Sequence, residues 1–120
     1  MMLEVLREFG GISFIFDLKE GEVFLSAIGD LGDGKKVEIV ANDRLTGEVV
    51  HYAFMEGEGD GFKKKKYGAE IILSADSCEY AGHKLEELRS RGGFSTPEFV
   101  QLSNLKSTGK VMDTFFVLRK

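Results

Sequence analysis

Apolar side chains in this chain come in short alternating runs, each closed within a few residues by glycine, aspartate or asparagine. This pattern constrains the fold more than any other feature, because period-two alternation gives a strand two distinct faces and leaves little length for long helices. Ile12, Phe14, Phe16 and Leu18 alternate with Ser13, Ile15 and Asp17. Val50, Tyr52 and Phe54 alternate with Val49, His51, Ala53 and Met55, and Phe116 and Leu118 with Phe115 and Val117. In the last two runs both sets are largely apolar, as expected of strands covered on both sides. The 15 glycines spread between the runs suggest many reversals of direction.

Ile12–Leu18 and Val23–Ile28 read as a β-hairpin around Lys19-Glu20-Gly21-Glu22. Val37–Ala41 and Glu48–Met55 flank a second reversal at Asn42–Gly47. Ala69–Leu73 and Met112–Leu118 complete the strand candidates, while Met1–Phe9 fits either a helix or a strand. Two helices are expected late in the chain. In the first, Asp76 and Glu79 have capping-box spacing, Cys78, Ala81, Leu85 and Leu88 form an apolar stripe, and Gly92-Gly93 stops it. In the second, Ser95 and Glu98 form the box, Pro97 sits in the first turn, and Phe94 and Phe99 have the spacing of a hydrophobic staple, with Phe99, Leu102 and Leu105 facing the core.

The expectation is one compact α+β domain over residues 1–120. Its sheet is mainly antiparallel, of about six strands, with the two short helices of the C-terminal half packed on one face. A small β-barrel with helical additions is the alternative. The lack of regular strand-helix alternation argues against a doubly wound fold, and no internal repeat is visible.

A composition of 42% hydrophobic and 30% charged residues suits a folded chain rather than a disordered one. The opening residues lack a signal-peptide pattern, and no stretch reaches the length of a membrane helix, so the expected location is cytoplasmic with no membrane partner. The net charge of -4 conceals an asymmetry: residues 1–60 carry 5 basic and 13 acidic side chains, residues 61–120 carry 11 and 7. That polarity either becomes polarity in space, steering a partner or favouring head-to-tail contact, or vanishes when strands from the two halves pair.

Four features invite a functional reading. At Glu56-Gly57-Glu58-Gly59-Asp60-Gly61-Phe62-Lys63-Lys64-Lys65-Lys66-Tyr67 an acidic glycine-rich segment meets four lysines bracketed by aromatics. Lysines contact phosphates and aromatics stack on bases, but the neighbouring acids and a pI near 5.2 disfavour nucleic acid. The segment reads as a charged hairpin: a solvated turn, a protein contact, or a lysine-protected sheet edge. Asp30 and Asp33 could approach a cation, but the segment lacks the ligand series of a calcium loop, and its glycines read as a turn. Cys78 is the only cysteine, which excludes an internal disulfide or a four-cysteine zinc site, and it lies on the apolar stripe while His83 lies off it. His51 has no identifiable orienting partner. The many aromatics could line a pocket, though aromatics also build cores.

No catalytic, cofactor-binding or metal-binding residue is assigned. The preferred function is a noncatalytic protein-interaction or assembly module, working through the surface Glu56, Glu58, Asp60, Phe62, Lys63, Lys64, Lys65, Lys66 and Tyr67, with an exposed sheet edge as a further element. Its partner would be another protein or a second copy of itself. The alternatives are a small hydrolase or transferase, and a nucleic-acid accessory protein contacting phosphates through Lys63–Lys66.

Overall fold

The computed structural model describes residues 3–8, 10–31, 35–96, 98–104 and 110–119. Along the chain they form β1 (Leu3–Glu8), β2 (Gly11–Phe16), α1 (Leu18–Gly29), β3 (Lys36–Asp43), β4 (Val49–Glu56), β5 (Gly61–Lys65), β6 (Gly68–Leu73), α2 (Ala75–Arg91), β7 (Glu98–Asn104) and β8 (Val111–Leu118). The α+β class is therefore correct, but the sheet is mixed and has eight strands. It closes into a barrel in the order β1-β2-β8-β7-β5-β6-β4-β3. Antiparallel pairs β1–β2, β3–β4, β5–β6 and β7–β8 alternate with parallel pairs β2–β8, β7–β5, β6–β4 and β3–β1.

This order contains a duplication that the sequence reading did not find. β1-β2-α1-β3-β4 and β5-β6-α2-β7-β8 have the same succession of elements, and rotating the barrel order by half its circumference exchanges them. The correspondence reaches single residues. Ile12, Phe14 and Phe16 are buried in β2 as Ala69, Ile71 and Leu73 are in β6, and Asp17 caps α1 as Ser74 caps α2. Buried Tyr52 and Phe54 in β4 answer to Thr114 and Phe116 in β8. Each half occupies a contiguous arc of the wall, so the acidic and basic halves of the chain lie on opposite sides of the barrel.

Two helices are present, but not where both were expected. Residues 18–29 are helical rather than a returning strand. Asp17 Oδ1 accepts from Glu20 N at 2.7 Å, and Glu20 Oε1 accepts from Asp17 N at 2.9 Å, a complete capping box. β2 pairs instead with β1 through the turn at Gly10, whose φ of 78° suits glycine. α2 follows the expected stripe, but its cap is Ser74, whose hydroxyl accepts from Ser77 N at 3.2 Å; Asp76 sits inside the first turn. Gly92, at φ 69°, ends it. The second expected helix is strand β7. Ser95 donates from its amide and hydroxyl to the Glu87 carboxylate instead of capping, and Phe99 sits at a bulge, stacked 4.5 Å from Phe116. Pro97 and Leu105 lie outside the described residues.

β1, β3, β5 and β7 all run toward one end of the barrel, and β2, β4, β6 and β8 run back from it, because each parallel pairing aligns neighbouring hairpins in the same direction. The helices, which follow β2 and β6, close the other end. Phe24 of α1 reaches the inward-facing rows, with ring centroids 5.5–5.8 Å from Phe14, Phe16, Phe54 and Phe116. Arg119, just past β8, ties this end together through Glu4 and Glu20. The outer faces of β4 and β8 are not covered by another layer: Val49, His51 and Val117 are exposed. The barrel closes through every described strand, but the β5–β7 seam is short, pairing only Gly61 with Ser103 and Phe62 with Asn104. Among the described residues, Lys63, Lys64 and Lys65 therefore have a ladder partner on the β6 side alone.

Candidate functional site

The end of the barrel opposite the helices holds a cationic concavity. It arises where the inward rows of several strands change from apolar to cationic near their hairpin turns. In β1 the row runs Leu3, Val5, Arg7; in β5 it runs Phe62, Lys64; approaching β8 it runs from Lys110 through Met112 to Thr114 and Phe116. Arg7 and Lys64 occupy equivalent positions in the two halves. Lys110 corresponds to Glu48, so the third cation falls on the C-terminal side alone.

These side chains surround a cleft of about 430 Å³ lined by Arg7, Glu8, Phe62, Lys64, Asn104, Lys110, Val111 and Met112, with Gly10 at its edge. Arg7, Lys64 and Lys110 have no ion-pair partner among the described residues. Glu8 is the acidic member of the lining. Beneath the cleft, Tyr52, Ile12, Ile71 and Leu102 enclose a void of only about 10 Å³, room for one water at most. Phe14, Phe16, Phe24, Phe54 and Phe116 fill the barrel further in. The cleft is thus a shallow cationic dish on a solid apolar floor. Burial raises the Tyr52 pKa, with Arg7 opposing and Asp43 reinforcing that shift, so its hydroxyl stays neutral beneath the dish.

The expected interaction surface does not form one patch. Glu56, Glu58 and Asp60 lie in or beside the β4–β5 connection at the helical end, where Asp60 Oδ1 accepts from Ser74 N at 2.9 Å. The lysines follow along β5 toward the open end. Phe62 is buried inside the barrel while Tyr67 is exposed in the β5–β6 turn, so the two cannot stack bases on one surface. Alternation also divides the lysines. Lys64 takes the inward row. Lys63 and Lys65 take the outer wall, where Lys65 pairs with Glu70 at 3.1 Å. That contact holds the Glu70 carboxyl below its usual range. Lys66 lies 5.4 Å from the Tyr67 ring centroid.

The remaining candidates are scattered. Cys78 is buried near the start of α2, and burial raises its pKa, reinforced by Glu56 and Asp60; it lacks the stabilised thiolate of a nucleophile. His83 is exposed, 3.8 Å from Glu79. His51 lies on the outer wall, 3.0 Å from Glu38, away from the dish. Asp30 is the exposed C-cap of α1, and Asp33 lies outside the described residues. Among the described residues, no three of His, Cys, Asp and Glu are grouped to hold a metal. No helix is long and apolar enough to cross a membrane. Sequence reading missed Arg7 and Lys110. The signal for Arg7 was its place in the row Leu3-Val5-Arg7, concealed by the ambiguous reading of Met1–Phe9.

No family model matches this chain, and no curated protein matches it significantly.

Proposed function

We propose that this protein is a noncatalytic interaction module that binds an anionic partner at the open end of its barrel. The observation that carries this reading is the convergence of Arg7, Lys64 and Lys110, without ion-pair partners among the described residues, on an apolar floor. Cations gathered at the rim of a low-dielectric surface attract an anion more strongly than the same charges dispersed in water. Arg7 offers a planar fork for a carboxylate or phosphate, and the lysines offer mobile point charges. With the interior filled, the ligand lies across the mouth rather than inside it. His51 and Cys78 lie away from the mouth, and the cationic lining supports recognition of an anion.

The test is an NMR titration of isotope-labelled protein with inorganic phosphate and with an oligoglutamate peptide. Amide shifts should concentrate at Arg7, Gly10, Lys64, Asn104 and residues 110–112. The double variant Arg7→Gln, Lys64→Gln should weaken binding roughly tenfold or more, and added salt should weaken the wild type. Shifts confined to the outer wall around Lys65 and Glu70, or to the helical end, would place the binding surface elsewhere and end this reading.

A further inference from the structure

We infer that the anionic partner is a lipid surface, and that the open end of the barrel docks on membranes containing anionic lipids. This rests on the reading of the mouth given above. Its independent support is the position of the exposed apolar side chains.

Strand order brings the described β3–β4 and β5–β6 turns to the same end of the barrel as the cationic dish. Leu45, in the β3–β4 turn, and Tyr67, in the β5–β6 turn, are the two most exposed large hydrophobic residues described, at 70% and 65%. Val111, beside Lys110, is exposed as well. The turn that carries Leu45 is rigid. Asp43 Oδ1 accepts from Leu45 N at 2.8 Å and from Thr46 N at 3.2 Å, and Gly47 closes it at φ 75°. The Asp43 carboxylate is therefore engaged within the turn while Leu45 is held outward. An aliphatic tip and a tyrosine beside cations match the two layers of a bilayer surface, acyl boundary and phosphates.

Charge complementarity selects the lipid composition. Arg7, Lys64, Lys66 and Lys110 face this end, with Arg44 in its β3–β4 turn paired to Glu4. Against them stand Glu8, Asp43 and Glu48, and these three carboxylates are the groups a lipid phosphate would have to avoid. Nucleic acid would give Leu45 nothing to contact. An acidic peptide would fill the dish without requiring apolar tips on separate turns. The filled barrel also fits a surface better than a ligand that must be engulfed.

The experiment is co-sedimentation with vesicles of phosphatidylcholine alone and of phosphatidylcholine mixed with phosphatidylserine. It is run alongside the phosphate and oligoglutamate titrations and an oligonucleotide binding assay. Wild type should sediment with the mixed vesicles only. Leu45→Ser combined with Tyr67→Ser should reduce sedimentation roughly tenfold and leave phosphate binding unchanged, since neither side chain lines the dish. Arg7→Gln or Lys64→Gln should each reduce it roughly fivefold. Circular dichroism identifies any variant that fails to fold, and these exposed turn substitutions supply readouts independent of the strand variants. Phosphate binding without vesicle binding would overturn the lipid inference and keep the mouth reading. Failure of both would overturn both. Unimpaired sedimentation of the Leu45, Tyr67 variant, or preference for the oligonucleotide or peptide over vesicles, would also refute docking through the tips.

Discussion

Replacing Gly68 by alanine should cost far more than the same change at Gly47, although both glycines have positive φ. Gly68 has φ 151°, and a Cβ there would stand 1.8 Å from the carbonyl oxygen of His51 and 2.7 Å from its carbonyl carbon. These are backbone atoms of the neighbouring strand, so no rotamer change relieves the collision. β4 and β6 would have to part at a seam that runs from His51↔Gly68 to Glu56↔Leu73 and is reinforced by His51 N donating to Tyr67 O at 2.7 Å. Backbone strain contributes about 1–3 kcal/mol. Losing two hydrogen bonds at the seam adds about 1 kcal/mol each, for a total of about 3–5 kcal/mol. At Gly47, φ 75°, an added Cβ would meet no atom within 4 Å, so only the left-handed conformation is penalised, at about 1–2 kcal/mol. Urea unfolding followed by circular dichroism measures both. Equal losses for Gly68→Ala and Gly47→Ala would refute the close β4–β6 approach, and with it the parallel register that closes this side of the barrel.

Three further outcomes follow from the packing and ionisation. Phe24→Ala should destabilise by about 3–5 kcal/mol, because Phe24 is 1% exposed and touches four other phenylalanines; a loss below 1 kcal/mol in the same unfolding assay would show that α1 does not close the barrel. Asp17→Ala should cost about 1 kcal/mol, and Asp17→Ser markedly less, since serine also caps. Stability should decline at alkaline pH: burial raises the pKa values of Cys78 and Tyr52, so the folded state holds their protons more tightly, and the stability present below their unfolded pKa values is lost as pH rises through the folded ones. Cys78→Ala should flatten the earlier part of that decline in a pH series of denaturant melts, relative to its own stability near neutrality.

Where alternation and turn chemistry agreed, the sequence was legible. β3, β4, β6 and β8 are each bounded by glycine or by an Asn-Asp turn, and their inward rows are buried as the pattern implied, although the outer rows of β4 and β8 are not covered. The errors came from local signals with two meanings. Phe14, Phe16 and Leu18 continue a strand-like alternation through Asp17, which in fact caps a helix. Gly21 resembles a turn residue, yet it stands in α1 because a Cβ there would come within 2.7 Å of the Phe16 ring. Ser95 and Glu98 imitate a capping box, and the bulge at Phe99 disturbs the alternation that would have revealed β7. Barrel closure depends on which strands pair across long separations, which local periodicity does not encode. The lysine run was visible, but which lysine entered the mouth depended on the inward register set by Phe62.

The duplicated architecture also bears on how two chains can associate. Within each half the strands pair among themselves; the halves meet at β2–β8, β4–β6 and the α1–α2 contact, and one chain segment, residues 57–60 with two glycines, joins them. If that connector straightened, residues 3–56 of one molecule would find the same complementary surface on residues 61–119 of another. Every seam would be rebuilt between molecules, and only the hinge would differ. Exchange would then be set by mass action, favoured by high protein concentration and by any substitution that stiffens or straightens Gly57-Glu58-Gly59.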